Sequence, residues 1–70
     1  MSNFTYDEIT LMCIYNTGTR AGLMQALTDM RGQLEPDEAE LLELTDSALR
    51  KLGRITDEQF AELELVPDFD

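Results

Sequence analysis

The side chains best able to do chemistry in this sequence are carboxylates, several of which recur at helical spacing in its second half. Carboxylates three or four residues apart share one face of a helix, where they can hold a cation or pair with the Lys and Arg side chains of another protein. A calcium site is not predicted, because the sequence lacks the loop of alternating acidic residues and glycine that surrounds this ion with oxygens. The candidate surface for a basic partner comprises Glu40, Glu43, Asp46, Glu58 and Glu62.

The chain has few of the residue types on which enzyme active sites usually depend. There is no His and no Trp, and Cys13 is the one cysteine. A Ser-His-Asp or Cys-His site cannot be built without His, and one cysteine supplies neither a zinc site nor an intrachain disulfide. We therefore predict no enzyme activity, no catalytic residue, no metal ion and no cofactor. A lone thiol without basic sequence neighbours is typical of core packing in a reducing compartment, so we predict a cytoplasmic protein.

The net charge of -10 is concentrated in the second half of the chain. Residues 1–34 carry three acids and two bases, whereas residues 35–70 carry twelve acids and three bases. One interpretation is a solvated acidic face, which is common in small proteins. The other is a surface that attracts a basic protein. Direct nucleic-acid binding is not favoured, because Arg50, Lys51 and Arg54 suit the negative end of a helix dipole and the surrounding charge repels phosphate.

Helix signals dominate the first half of this one small domain, which spans residues 1–70. Thr5 and Glu8 are spaced as a capping box, in which each side chain accepts a hydrogen bond from the other's backbone N–H. This motif predicts a first helix near 6–15. Apolar residues at helical spacing then predict a second helix near 19–32.

The second half predicts two further helices. Pro36 suits a first helical turn, and basic residues suit the far end, so a third helix is predicted near 36–54. Thr56 and Gln59 form a second capping box, which predicts a short helix near 57–63. The tail, residues 64–70, either folds back onto the domain or stays extended. The predicted fold class is all-α, a small bundle of three main helices plus a short C-terminal helix.

The first helix is apolar on nearly all sides. At about 100° per residue, Leu11 and Ile14 fall opposite the other large side chains of this helix. One interpretation is that the other helices enclose it. The alternative is that Leu11 and Ile14 form an exposed patch for a protein partner or a second copy. The residues predicted to share the opposite side are Tyr6, Ile9, Met12, Cys13 and Tyr15.

Arg20 is a second residue that does not match its local pattern. It shares a helix face with Leu27 and Leu34 and lies near a helix N-terminus, where a cation opposes the dipole. We predict a structural ion pair between Arg20 and a carboxylate of the second half, with the aliphatic stem of Arg20 packed on apolar neighbours.

Three strings carry a resemblance to a known family: FTYDEITLMCIY at 4–15, LRKL at 49–52 and ITDEQFAEL at 55–63. With them the chain resembles the transposon-transfer assisting protein family, small proteins encoded on conjugative transposons of clostridia and related bacteria. The resemblance covers nearly the whole chain. It implies an all-helical accessory factor of a mobile element that assists transfer, and it implies no catalytic residues.

The leading hypothesis is a non-enzymatic protein that binds a basic protein component of the DNA-processing or transfer machinery. An acidic mimic of nucleic acid that inhibits a DNA-binding protein is the alternative, followed by direct interaction with DNA. No stretch approaches the roughly 18 apolar residues of a membrane span, so no membrane insertion is predicted. The sequence leaves the partner's identity and the oligomeric state open.

Overall fold

The computed structural model describes residues 4–63, which form four α-helices and contain no strand. They are α1 (Tyr6–Tyr15), α2 (Arg20–Arg31), α3 (Ala39–Leu52) and α4 (Asp57–Glu62). The first three pack against one another, and α4 is a short final helix. This architecture confirms the predicted all-α bundle. The tail at 64–70, for which the sequence allows two arrangements, lies outside the described residues.

Both predicted capping boxes are present. Glu8 N donates to Thr5 Oγ1 at 3.2 Å, and Thr5 N donates to Glu8 Oε1 at 2.7 Å. At the start of α4, Gln59 N donates to Thr56 Oγ1 at 3.0 Å, and Thr56 N donates to Gln59 Oε1 at 2.9 Å. Each box satisfies N–H groups that have no partner inside the helix, a contribution of about 1 kcal/mol per cap. The boxes therefore determine where α1 and α4 begin.

The connection between α1 and α2 is a turn at Gly18. Its φ of 100° lies in a region that side chains with a Cβ rarely adopt, and its N–H donates to Asn16 Oδ1 at 2.9 Å. Thr19 then caps α2 by accepting from Gly22 N at 3.0 Å. The predicted range of 19–32 therefore includes the two residues that flank the helix, Thr19 and Gly32.

The third helix begins later than predicted, because Pro36 lies in a turn and not in a helical first turn. Glu38 N donates to Glu35 O at 2.9 Å, and Glu35 N donates to Glu38 Oε1 at 3.1 Å. Proline is favoured at the second position of such a turn, since its preset φ is the one required. Helix α3 starts at Ala39 and ends at Leu52, two residues before the predicted end.

A buried apolar cluster joins all four helices. Full burial of a Leu or Met side chain contributes about 1.5–3 kcal/mol, so the cluster supplies most of the folding energy of so small a domain. Cys13 is partly buried and packs against it. The fully or nearly buried members are Leu11, Met12, Leu23, Leu27, Ala48, Leu52 and Phe60.

The helices are short. Over residues 4–63, none is long and apolar enough to cross a lipid bilayer.

Candidate functional site

A groove of about 500 Å³ lies between the start of α1 and the first half of α3. Its lining combines apolar surface from two leucines of α3 with carboxylates from both helices. Such a lining suits a side chain with an aliphatic stem and a cationic head. The lining residues are Thr5, Asp7, Glu8, Glu40, Leu41, Glu43, Leu44 and Ser47.

Glu8 is the one carboxylate of the groove that is buried, with 2% of its surface exposed. Its Oε1 accepts from Lys51 Nζ at 2.7 Å and from Thr5 N at 2.7 Å, and its Oε2 accepts from the Ser47 hydroxyl. Lys51 also lies over the ring of Phe4, 5.9 Å from its centroid. Glu8 therefore links α1 to α3 through a hydrogen-bonded ion pair.

The ionisation of Glu8 reflects two opposing effects. Burial of the carboxylate raises its pKa, while hydrogen bonds from Lys51, Ser47 and Thr5 and the positive charge of Lys51 lower it. The lowering effects together are larger, so the pKa of Glu8 lies below its ordinary value. The carboxylate is therefore a charged structural group at neutral pH.

Glu40 and Glu43 lie in the first half of α3, where their three-residue spacing puts them on the groove side of the helix. Both are exposed, and Asp7 joins them from the first turn of α1. Within residues 4–63, no hydrogen bond or ion pair engages the carboxylates of these three residues. The groove thus carries three solvated negative charges that the fold does not neutralise.

Asp46 has a different position from the other candidate acids. Its carboxylate accepts hydrogen bonds from Arg31 Nε and, at 3.3 Å, from Arg31 Nη2, which joins α3 to α2. The hydrogen bond from Arg31 lowers the pKa of Asp46. Because Arg31 balances this charge within the chain, Asp46 is not available to the candidate partner surface.

Glu58 and Glu62 are exposed on α4, beyond the C-terminal end of α3. Glu43 lies about 14 Å along the α3 axis from Leu52, where that helix ends. The structure therefore does not combine the predicted acids in one patch. It places Glu40 and Glu43 in the groove and Glu58 and Glu62 on a separate helix.

The predicted apolar patch is only half present. Leu11 is 6% exposed and belongs to the core, so its prediction as a partner residue is wrong. It lies on the stripe of α1 that faces the other helices, with Glu8, Met12 and Tyr15 at helical spacing. Ile14 is 67% exposed and remains a candidate.

The predicted grouping of apolar residues on α1 also needs correction at Tyr6. Its side chain is 84% exposed, although the predicted grouping puts it on the same side as Met12, which is fully buried. The alternative that the other helices enclose α1 on all sides is therefore wrong as well. One face of α1 lies open to solvent.

Arg20 is compensated within the chain. Its Nε donates to Asp57 Oδ1 at 2.8 Å, and its Nη1 donates to the Leu52 carbonyl at 3.0 Å. The pair joins the start of α2 to α4, and the Leu52 carbonyl is one of those left without a helical partner at the end of α3. Arg20 thus connects three helices.

The comparison with known families identifies the chain. The family model described as Putative transposon-transfer assisting protein (TTRAP) matches residues 4–67. The chain belongs to this family. The match covers all four helices and confirms the resemblance carried by the three sequence strings. No curated protein and no solved structure matches the chain significantly.

The TTRAP description names a role in assisting transposon transfer and no enzyme class. Over residues 4–63 of this TTRAP protein, no group of three or more Cys, Asp or Glu residues is arranged to hold a metal ion. Every buried side-chain nitrogen or oxygen in that part of the chain has a hydrogen-bond partner. The groove between α1 and α3 is the candidate site, because it brings exposed carboxylates of both helices together beside apolar surface.

Two residues of this site were not predicted from the sequence. Glu8 was interpreted as a capping residue, yet its spacing from Leu11 and Met12 puts it on the buried stripe, a signal that it would need a cation. Asp7 belongs to the nearly neutral half of the chain, so the concentration of charge in the second half does not indicate it as a partner residue.

Proposed function

We propose that this protein is a non-enzymatic, cytoplasmic accessory factor of a conjugative transposon, which assists transfer by binding a basic protein of the DNA-processing or transfer machinery. The family description supports the role in transfer. The observation that carries the binding step is the set of exposed carboxylates in the groove, Asp7, Glu40 and Glu43, which no cation of residues 4–63 neutralises.

The three ion pairs of the described residues support this proposal. Arg20, Arg31 and Lys51 are all paired with carboxylates inside the domain. The chain has five basic residues in total, so few cations are left to balance the groove. Uncompensated charge of one sign destabilises a compact domain and accelerates the approach of a protein of opposite charge. The exposed carboxylates of the groove therefore favour the binding of a basic protein and do not stabilise the fold.

Capture of partners from donor cells that carry the element tests this proposal. The tagged protein is used as bait at low salt and again at about 1 M salt, where the screening length falls to about 3 Å. We expect a basic protein that is captured at low salt and lost at high salt. The double variant E40Q/E43Q should lose it, while E58Q/E62Q, with the same change in charge on α4, should retain it. A bait that captures no salt-sensitive protein would contradict the proposal.

The nucleic-acid mimic remains the alternative, and the same experiment separates it. A mimic occupies the DNA site of its target, so DNA should displace it from the captured protein, whereas an accessory factor that binds elsewhere should stay bound. The clustering of Asp7, Glu40 and Glu43 in one groove supports the accessory factor, because a mimic needs its carboxylates spread along an extended surface, as the phosphates of a nucleic acid are. Retention in the presence of DNA is the expected result.

A further inference from the structure

Among residues 4–63, the solvent-facing side of α1 carries two large apolar side chains that no other helix covers. Tyr6, Thr10 and Ile14 are spaced four residues apart and all three are exposed, the first and last at 84% and 67%. Large apolar side chains exposed to this degree on one helix face are typical of a surface that contacts another molecule. The face is about two turns long, which is enough to contact one amphipathic helix of a partner.

The charge beside this face limits what can occupy it. Asp7 and Ile14 are seven residues apart and therefore lie along the same edge of α1. Asp7 also lines the groove together with Glu40 and Glu43 of α3. The apolar face therefore continues into an acidic groove, and an occupant that covers both needs apolar and cationic side chains on one side.

We propose that this composite surface binds a basic amphipathic helix of a partner protein. The apolar residues of the partner helix cover Tyr6 and Ile14. Its Lys or Arg residues extend over the groove, with their aliphatic stems on Leu41 and Leu44. This inference rests on the proposed function and adds to it the surface and the chemistry of the partner. A second copy of the chain is disfavoured as the occupant, because it would bring a further net charge of -10 to an acidic surface.

The test uses the full chain, isotope-labelled for NMR, and two synthetic peptides of identical composition. One peptide has leucine and lysine at helical spacing, so that each type forms one face. The other has the same residues scrambled, so that the charge is kept and the apolar face is lost. We expect the amphipathic peptide to shift the amide signals of Tyr6, Thr10 and Ile14 together with those of Glu40 and Glu43. The scrambled peptide should bind about tenfold more weakly.

Variants of the protein separate the two parts of the surface. Because Ile14 is exposed, I14S should leave the fold intact and weaken the amphipathic peptide by about tenfold, whereas A61S on the exposed side of α4 should not. E40Q/E43Q should weaken both peptides and reduce the salt dependence of binding, and E58Q/E62Q should do so much less.

Several outcomes would overturn the inference. Equal binding of the two peptides, with shifts spread over all acidic residues, would exclude a role for the α1 face and leave the proposed charge-based function intact. Failure of both peptides to bind would overturn the inference, and the capture experiment would then decide the proposed function separately. Contacts of Ile14 with Leu65, Val66 or Phe69 in the free protein would show that the chain covers its own face. A dimer that I14S dissociates would show that a second copy does.

Discussion

Glu8 and Glu43 line the same groove, yet the chain uses them in opposite ways. Glu8 is 2% exposed, and its two oxygens accept hydrogen bonds from Thr5, Ser47 and Lys51. Glu43 is exposed and has no ion pair within the described residues. The Glu8 carboxylate stabilises the contact between α1 and α3, while the Glu43 carboxylate is exposed to solvent and available to a partner. Burial and pairing, more than net charge, separate structural acids from those available to a partner.

The largest loss of stability is expected for Glu8→Gln. Glutamine keeps the capping box but removes the charge, which leaves Lys51 without its buried counter-ion. Lys51 is 29% exposed and can turn to solvent, so the loss is that of charge-assisted hydrogen bonds, about 2 kcal/mol of the about 3–5 kcal/mol that a core of this size supplies. Urea unfolding followed by circular dichroism measures the change. Glu43→Gln is the matched control. Equal stability of the two variants would show that the burial and pairing of Glu8 do not stabilise the fold.

A smaller effect is expected from acidification. Because the pKa of Glu8 is lowered in the folded state, its contribution is complete above the ordinary Glu pKa of about 4.3 and is lost as the pH falls through the folded value. The stability difference between wild type and E8Q should therefore shrink as the pH falls from neutral to about 3. The measurement is made in a stabilising osmolyte so that both proteins remain folded. A constant difference would show that the pKa of Glu8 is the same in the folded and unfolded states.

Arg20→Met should have an intermediate effect on stability. It removes a charged hydrogen bond to the Leu52 carbonyl together with the pair to Asp57, a loss of about 1–2 kcal/mol. Asp57→Asn should cost much less, because Asp57 is 82% exposed and leaves the carbonyl contact in place. Thermal unfolding of both variants checks this order. If Arg20→Met unfolds at the wild-type temperature, Arg20 does not contribute to holding α4.

The smallest effect on stability is expected for E40Q/E43Q. Neither carboxylate makes an ion pair within the described residues, so the free energy of unfolding should stay within about 0.5 kcal/mol of wild type, or rise as repulsion falls. Urea unfolding at low salt gives the most sensitive reading. A clear loss of stability would show that the groove acids serve the fold.

Local chemistry made much of the fold predictable. Both capping boxes lie where the sequence places them, because a Thr and an acid or amide three residues on interact within one turn. The start of α3 was mispredicted because proline suits two local structures, and the hydrogen bonds of Glu35 and Glu38 decided for the turn. Residue types alone do not show whether the hydrogen bonds of the turn or those of a helical first turn are more stable.

The site was less predictable, because it depends on which helix faces meet. The exposure of Glu40 and Glu43 followed from the polar face of α3. The addition of Asp7, the burial of Leu11 and the pairing of Asp46 with Arg31 all depend on how α1 and α2 pack on α3. Helical spacing gives the faces of each helix but not the neighbour that covers them.

The central claim is that the exposed carboxylates of the groove bind a partner needed for transfer. The most direct measurement is the frequency of conjugative transfer from donor cells whose only copy of this protein is E40Q/E43Q, at wild-type expression. Loss of two charge contacts of about 0.7 kcal/mol or more each predicts a transfer frequency about tenfold lower, with E58Q/E62Q donors near wild type. A wild-type transfer frequency from E40Q/E43Q donors would contradict the claim.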